Sequence, residues 1–344
     1  MDEHIESRYS RQLLFTPIGR EGQAKLLRSK VAVIGMGALG TVISSQLVRG
    51  GVGHVKLIDR DFIEFSNLQR QMLYDEEDAA SHLPKAEAAR LKLTKINSEV
   101  TVESFVADLN VSNTQELLDG VDLIMDGSDN MAVRFLINDI AFQKGIPYIY
   151  GGAVSSRGMV AAFIPGKTAC FQCLFGGSAE SGRLETCDTV GVIAPIVDIV
   201  SSRQVTLALK ILTGHADLVK PVLKTFDIWH DYDYEMSIEE PRQNCPTCQL
   251  KQYPYAASRE KEDIVETLCG RDSVQIRPRV KRALDMDDLL NRLKPLGRVE
   301  QNGFLIRFFT GDYQMTIFPD SRVMIHGTHD KKVAKSLYAR YIGS

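Results

Sequence analysis

The apolar positions of this chain fall into short continuous runs separated by stretches with helical spacing. Residues 30–34 form an apolar strand that enters a glycine turn, and residues 39–49 behind the turn are compatible with a helix. A second strand, residues 54–58, ends at Asp59. Residues 84–96 carry Ala and Leu at helical spacing, residues 100–106 alternate as a strand, and residues 121–125 read as a short buried strand. A helix around 137–141 and a strand at 148–150 repeat the alternation. Strands that alternate with helices predict an α/β class, with a Rossmann-like, doubly wound and mostly parallel sheet. One stretch breaks the rhythm: between Phe175 and Thr186 the sequence GGSAESGRLE is small, polar and glycine-rich, and reads as a mobile loop.

After Cys248 the aliphatic residues thin out, which predicts a linker at residues 251–262 between a first domain, 1–250, and a second, 263–344. The tail pattern gives a strand at 273–276, a helix at 286–293, strands at 297–300, 304–309 and 314–318, a short strand at 323–326 and a final helix at 331–341. Phe318-Pro-Asp-Ser-Arg322 reads as a turn between two of those strands. This is the pattern of a small α+β domain. No internal repeat or low-complexity block interrupts either part.

Composition narrows the function. The 344 residues are 44% hydrophobic and 25% charged, enough for a large domain with an appendage, and no apolar run is long enough to span a bilayer. The net charge of −3 gives no general attraction for nucleic acid. Charge is unevenly spread, since residues 271–344 hold 14 Lys/Arg against 8 Asp/Glu, an excess of six that leaves −9 on the rest. The acidic, polar start MDEHIESRYS has no secretory character, so the expected setting is cytoplasmic.

The glycine turn is Gly35-Met-Gly37-Ala-Leu-Gly40, a G-x-G-x-x-G directly after a strand and before a helix, where backbone N–H groups can face a phosphate. Asp59, at the end of the next strand, can accept hydrogen bonds from ribose hydroxyls. These two features fit a nucleotide, and by themselves they favour a dinucleotide such as NAD or FAD over ATP, a tight packing turn without ligand being the alternative. Asp61, Asn67, Arg70 and Lys85 then supply charged and hydrogen-bonding groups that a nicotinamide site does not need and a metal-bound triphosphate does. Asp129, just after the buried strand 121–125, sits where a carboxylate can hold Mg²⁺, although an Asp before a helical stretch is equally an N-cap.

Four of the six cysteines form two C-x-x-C pairs, Cys170/Cys173 and Cys245/Cys248. That spacing lets two thiolates bind one metal, and the two pairs together predict a structural zinc knuckle, Zn²⁺ held by four thiolates. Two separate redox dithiols are the alternative. Cys187 is unpaired and closes the glycine-rich loop; it reads either as a nucleophilic or sulfur-handling thiol or as an ordinary free cysteine.

Together Arg8-Tyr-Ser-Arg11-Gln, the glycine turn, Ile58-Asp-Arg-Asp61, Ser66-Asn-Leu-Gln-Arg-Gln71, Pro84-Lys85, Ser128-Asp-Asn130, both C-x-x-C pairs and Thr186-Cys187 resemble the E1-like adenylyltransferase family that contains ThiF and MoeB. The resemblance spans roughly residues 7–250. It implies an adenylyltransferase that uses ATP and Mg²⁺ to activate the C-terminal Gly-Gly carboxylate of a ubiquitin-like sulfur-carrier protein of ThiS or MoaD type, for thiamine thiazole or molybdopterin synthesis. Asp59 would bind ribose, Asn67, Arg70 and Lys85 the phosphates, and Asp129 the Mg²⁺. Arg11 would reach across a homodimer into the partner's ATP site. Cys187 matches a thiol that in the thiazole branch links covalently to the carrier, and a separate persulfide would donate the sulfur. The competing readings are an enzyme that adenylates another peptide or tRNA carboxylate, and a nicotinamide-dependent oxidoreductase.

Overall fold

The structure is a computed structural model that describes residues 3–176, 190–258, 264–268, 272–278 and 283–343. It divides into two compact units, Met1–Ser258 and Arg259–Ser344.

The first unit is built on one sheet. Its strands are β1 (Lys30–Ile34), β2 (His54–Asp59), β3 (Thr101–Val106), β4 (Leu123–Asp126), β5 (Tyr148–Val154), β6 (Arg157–Phe163), β7 (Val222–Asp227) and β8 (Tyr232–Ser237), in the spatial order β3-β2-β1-β4-β5-β6-β7-β8. The first five run parallel, with Val31 opposite Val55 of β2 on one side and Leu123 of β4 on the other. From β5 onward each neighbour is antiparallel. Because β2 and β3 lie to one side of β1 while β4 and β5 lie to the other, the order reverses between β1 and β4, and a crevice opens at their carboxyl ends.

Strand β1 is apolar from Val31 to Ile34 because both its faces are covered there. Val31 and Val33 enter a core with Leu47, Leu57, Leu93 and Val200; Ala32 and Ile34 enter the opposite core with Ile124, Phe135 and Phe163. That alternation is the period of two of a strand, and each fully buried aliphatic contributes about 1.5–3 kcal/mol. Helices α1 (Ala38–Arg49), α2 (Lys85–Ile96) and α4 (Ala194–Leu212) line the first core, while α3 (Met131–Lys144) lines the second. Asn130 caps α3 by accepting from the N–H groups of Ala132 and Val133, and Gly145 closes it in the left-handed region at φ 73°. Helix α4 is tied to the crevice: Gln204 Nε2 donates to the Asp126 carbonyl at 2.8 Å, and Ser201 Oγ donates to that of Leu39 at 3.2 Å.

The expected doubly wound, mostly parallel sheet is therefore present, with an antiparallel extension of three strands and a long helix that the pattern reading did not reach. Residues 177–189, which include most of the expected glycine-rich loop and Cys187, lie outside the described residues. Of the expected linker, residues 251–258 belong to the first unit, and residues 259–262 lie outside the described residues. The Tyr255 ring stacks on Phe135 of α3 with centroids 4.7 Å apart, and Asp139 Oδ2 accepts from the backbone N–H groups of Tyr255 at 2.7 Å and Ala256 at 3.2 Å. A sequence low in aliphatics is fixed here by an aromatic ring and a buried carboxylate.

The second unit is an antiparallel sheet of β9 (Ile264–Leu268), β10 (Ser273–Arg277), β11 (Arg298–Asn302), β12 (Leu305–Thr310), β13 (Tyr313–Ile317) and β14 (Val323–His326), in the order β11-β12-β13-β14-β10-β9. Helices α5 (Met286–Leu293) and α6 (Lys331–Tyr341) close one face over Val274, Ile276, Phe308, Met315 and Ile325. Both are capped by aspartates, Asp285 and Asp330, which accept from backbone N–H groups of their first turns. The turn expected at 318–322 is closed by Phe318 N–H to Arg322 O at 3.0 Å, with the buried Arg322 guanidinium 3.7 Å from the Phe318 ring centroid. Strand β9 is an element that the sequence pattern did not reveal.

Candidate active site and cysteine centre

The glycine turn occupies the crevice at the end of β1. Gly35 has φ 87°, and a Cβ there would stand 2.8 Å from the Gly127 carbonyl carbon; a Cβ on Gly40 would stand 1.8 Å from Gly35 O. Backbone thus packs on backbone, and the strand-to-helix turn lies directly against the loop that follows β4. Beside Gly37, by contrast, the nearest atom to a built Cβ is Gln71 Nε2 at 3.9 Å, so this side of the turn is open. Gly37 is the N-cap of α1 and has no side-chain cap, which leaves N–H groups of the first turn without that partner.

Asp59 ends β2 beside this turn. Its Oδ2 accepts from Met36 N–H and its Oδ1 from Asp61 N–H, each at 2.6 Å. Withdrawal from solvent pushes its carboxyl above the usual value; Lys85 works against that rise and Asp61 adds to it. The segment 61–63 runs back against 83–85, with an antiparallel bridge between Phe62 and Pro84 and Lys85 N–H donating to Asp61 O at 2.9 Å. This pairing brings the buried Lys85 to Asp61, with Nζ 3.4 Å from Oδ2. The Tyr74 hydroxyl, 2.8 Å from Met36 O and 3.0 Å from Lys85 O, ties the glycine turn to α2.

Asn67 is buried and spends Oδ1 on the N–H of Glu64, so its first role is to hold the turn that carries Arg70. Arg70 is half-buried with Nη1 donating to Ser66 O at 3.0 Å. Asp129 is exposed on the loop after β4. It is not the N-cap of α3, a role taken by Asn130. What fixes its loop is a cluster that sequence reasoning missed: fully buried Asp126 accepts from Ser128 N–H at 2.8 Å, from Tyr148 OH at 2.9 Å and from Arg134 Nε at 3.1 Å, while Arg134 Nη2 donates to Ser128 O at 2.5 Å. The charged ends of an apolar strand and an apolar helix turn, Asp126 and Arg134, were the available signal. A helix N-terminus, a buried lysine and two sets of carboxylates around one crevice can bind a metal-bound polyphosphate and neutralise charge that develops on it.

Arg11 lies in the helix Ser10–Leu13, whose neighbours on either side are anchored inward. Tyr9 is buried and its hydroxyl accepts from Asn97 Nδ2 at 2.8 Å; Gln12 Nε2 donates to Gly50 O at 2.9 Å and to Gln23 Oε1 at 2.7 Å. Arg11 is left exposed, followed by Leu14 at 74% and Phe15 at 60% exposure.

The four paired cysteines converge. Their sulfurs all lie within 4.8 Å of one another, with Cys170–Cys245 at 3.5 Å, Cys173–Cys248 at 3.4 Å and Cys170–Cys173 at 3.7 Å. Hydrogen bonds from Cys170 and Cys248, joined by the Arg242 N–H, hold the Cys173 thiol well below its ordinary range. Four sulfurs at about 2.3 Å from one cation stand about 3.8 Å apart, so the donor set fits a tetrahedral soft metal. Two separate dithiols would not be expected to meet in this way.

An open α/β sheet with a phosphate-type glycine turn at its switch point, in the same unit as a four-cysteine cluster, defines a nucleotide-binding class of protein. The model of the ThiF family matches residues 9–247, and the chain belongs to that family. Among its relatives, the sulfur carrier protein ThiS adenylyltransferase of Bacillus subtilis (strain 168) is 43% identical over 341 residues, covering 98% of this chain and 100% of that one. The SAMP-activating enzyme E1 of Haloferax volcanii is 34% identical over 241 residues, 70% of this chain and 88% of that one. The fold is similar to that of E. coli MccB in its complex with ATP, with TM-score 0.61 and 24% identity over 70% of this chain and 74% of that one. The family match ends inside the first unit, whereas the Bacillus relative also spans the second.

Proposed function

We propose that this chain uses Mg·ATP to adenylate the C-terminal Gly-Gly carboxylate of a small ubiquitin-like sulfur-carrier protein of ThiS or MoaD type, in thiamine thiazole or molybdopterin synthesis. The observation that carries the reading is the convergence of Gly35–Gly40, Asp59, Asp61, Lys85 and the Asp129 loop on one switch-point crevice, in a chain alike over its whole length to a ThiS adenylyltransferase.

Asp59 receives the ribose, the open N-terminus of α1 the phosphates, and Asn67, Arg70 and Lys85 the leaving pyrophosphate. Asp129 holds Mg²⁺, the carboxylate being exposed and free of capping duty. A carboxylate oxygen of the carrier attacks the α-phosphorus, the bond to the bridging oxygen of pyrophosphate breaks, and acyl-adenylate forms. The nucleophile is already an anion at neutral pH, so positioning and charge neutralisation supply the acceleration. Arg11 completes the partner's site in a homodimer; its outward display between anchored Tyr9 and Gln12, beside exposed Leu14 and Phe15, supports that role. The cysteine tetrad takes structural Zn²⁺. A separate persulfide donor then attacks the adenylate carbonyl with its outer sulfur, expelling AMP and leaving an acyl disulfide on the donor, and Cys187 is the candidate thiol of this chain to take over that disulfide by exchange, releasing the donor thiol. Among the described residues no helix is long and apolar enough to cross a membrane, and a cytoplasmic setting suits four reduced thiols.

ATP–pyrophosphate exchange with carriers ending in Gly-Gly tests the reading. Exchange should require Mg²⁺, Asp129 and the last glycine. A folded, ATP-binding protein that exchanges with no such carrier would move the activity to another carboxylate.

A further inference from the structure

The two cysteine pairs are far apart in the chain, yet their turns are held by two consecutive side chains of one helix. Asn138 and Asp139 of α3 are both fully buried. Asn138 Oδ1 accepts from the N–H of Phe171, the residue after Cys170, at 2.8 Å. Asp139 Oδ1 accepts from the hydroxyl of Thr247, between Cys245 and Cys248, at 2.6 Å. The other oxygen of the same carboxylate takes the N–H groups of Tyr255 and Ala256, and Gln252 N–H donates to Pro246 O at 2.8 Å, so the segment 251–258 is tied to the second turn as well.

From this geometry we infer that Asn138 and Asp139 are the positioning residues of the tetrad: they set the two C-x-x-C turns at bonding distance before a metal arrives, and through Asp139 they couple metal occupancy to the anchoring of segment 251–258. The inference rests on the reading of the tetrad as a metal site. Its physical basis is that ligands fixed by outer hydrogen bonds lose little freedom on binding, whereas ligands on independent turns must be ordered by the metal itself. A polar pair in the middle of a helix otherwise lined by Phe135, Ile137, Ile140 and Ala141 has this task in place of core packing. The consequence runs both ways: losing the metal loosens segment 251–258, and losing the Asp139 contacts weakens the metal.

Thr247→Val removes the hydroxyl and keeps the volume, and Thr247→Ser restores the hydroxyl. Zinc affinity, read by competition with a chromophoric chelator, should fall about tenfold or more in Thr247→Val and in Asn138→Leu, and stay near the parent value in Thr247→Ser. The cobalt-substituted forms should keep the absorption of a tetrahedral tetrathiolate, since the ligands are intact. Limited proteolysis within 251–258 should accelerate on chelation in the parent and be fast in Thr247→Val without it. Zinc affinities of Thr247→Val and Asn138→Leu equal to that of a core variant matched for melting temperature, Leu47→Ala, would overturn the positioning role. A parent chain that takes up neither zinc nor cobalt would overturn the metal reading itself, a distinct result.

Discussion

The nucleotide crevice and the cysteine tetrad are served by the same helix in opposite ways. At the start of α3, Arg134 and Asp126 form a buried pair whose spare hydrogen bonds fix the backbone of Ser128 and leave the next carboxylate, Asp129, facing solvent. One turn further on, Asn138 and Asp139 direct their hydrogen bonds to the turns that carry the paired cysteines, which are buried or half-buried. The first arrangement holds a backbone still beneath an exposed carboxylate. The second encloses the four cysteines. Chemistry and stability should therefore respond to different substitutions.

Arg134→Ala is the substitution that should breach this division most deeply. It leaves Asp126 as an uncompensated buried charge, a loss of about 3–5 kcal/mol in stability, and it frees the Asp129 loop. A lower melting temperature together with collapsed exchange is expected; a stable variant with normal exchange would mean that the pair does not fix the loop. Asp129→Ala should remove about 3–4 kcal/mol of transition-state stabilisation, on the order of 10²–10³ in exchange rate, while thermal unfolding stays unchanged. Arg11→Ala should lower exchange by about 10². Mixing it with Asp129→Ala should then recover about a quarter of the parent activity, because half the dimers are mixed and each has one intact site. No recovery on subunit exchange would place Arg11 in its own subunit's chemistry. The gentlest change is Tyr255→Leu, which forfeits the stack on Phe135 and about 1 kcal/mol of stability. Its exchange rate should match the parent's, and a drop would show that the tetrad side reaches the crevice.

The legible parts of the sequence are those where one local rule decides the outcome. Val31–Ile34 must be a buried strand because it is apolar on both faces, and the helices Met286–Leu293 and Lys331–Tyr341 follow from their apolar spacing, with Asp285 and Asp330 as N-caps at their starts. The four cysteines that meet are the four that C-x-x-C spacing selects. What stayed hidden depends on partners distant in the chain. Strand β8 is exposed at every position, so it carries no burial period to read. Residues 251–258 look like a linker until Asp139 and Phe135 are placed beneath them. Asp126, Arg134 and Tyr148 are ordinary charged and aromatic residues until tertiary structure joins them across two strands and a helix.

The reversal of strand direction within the main sheet has a consequence in time. Strands β5 and β6 are adjacent in the chain and pair through a tight connection at Ser155-Ser156, as β7 and β8 pair across the short turn at 228–231. The pairing of β1 with β4, which creates the crevice, must join Val31 to Leu123 over a long intervening loop. Closing such a loop is slow relative to closing a hairpin. The expectation is that amide protons of the antiparallel half become protected early in refolding and those of β1 and β4 late, an order that pulsed hydrogen exchange would read. A refolding chain would then possess its sheet edge before it possesses its nucleotide crevice.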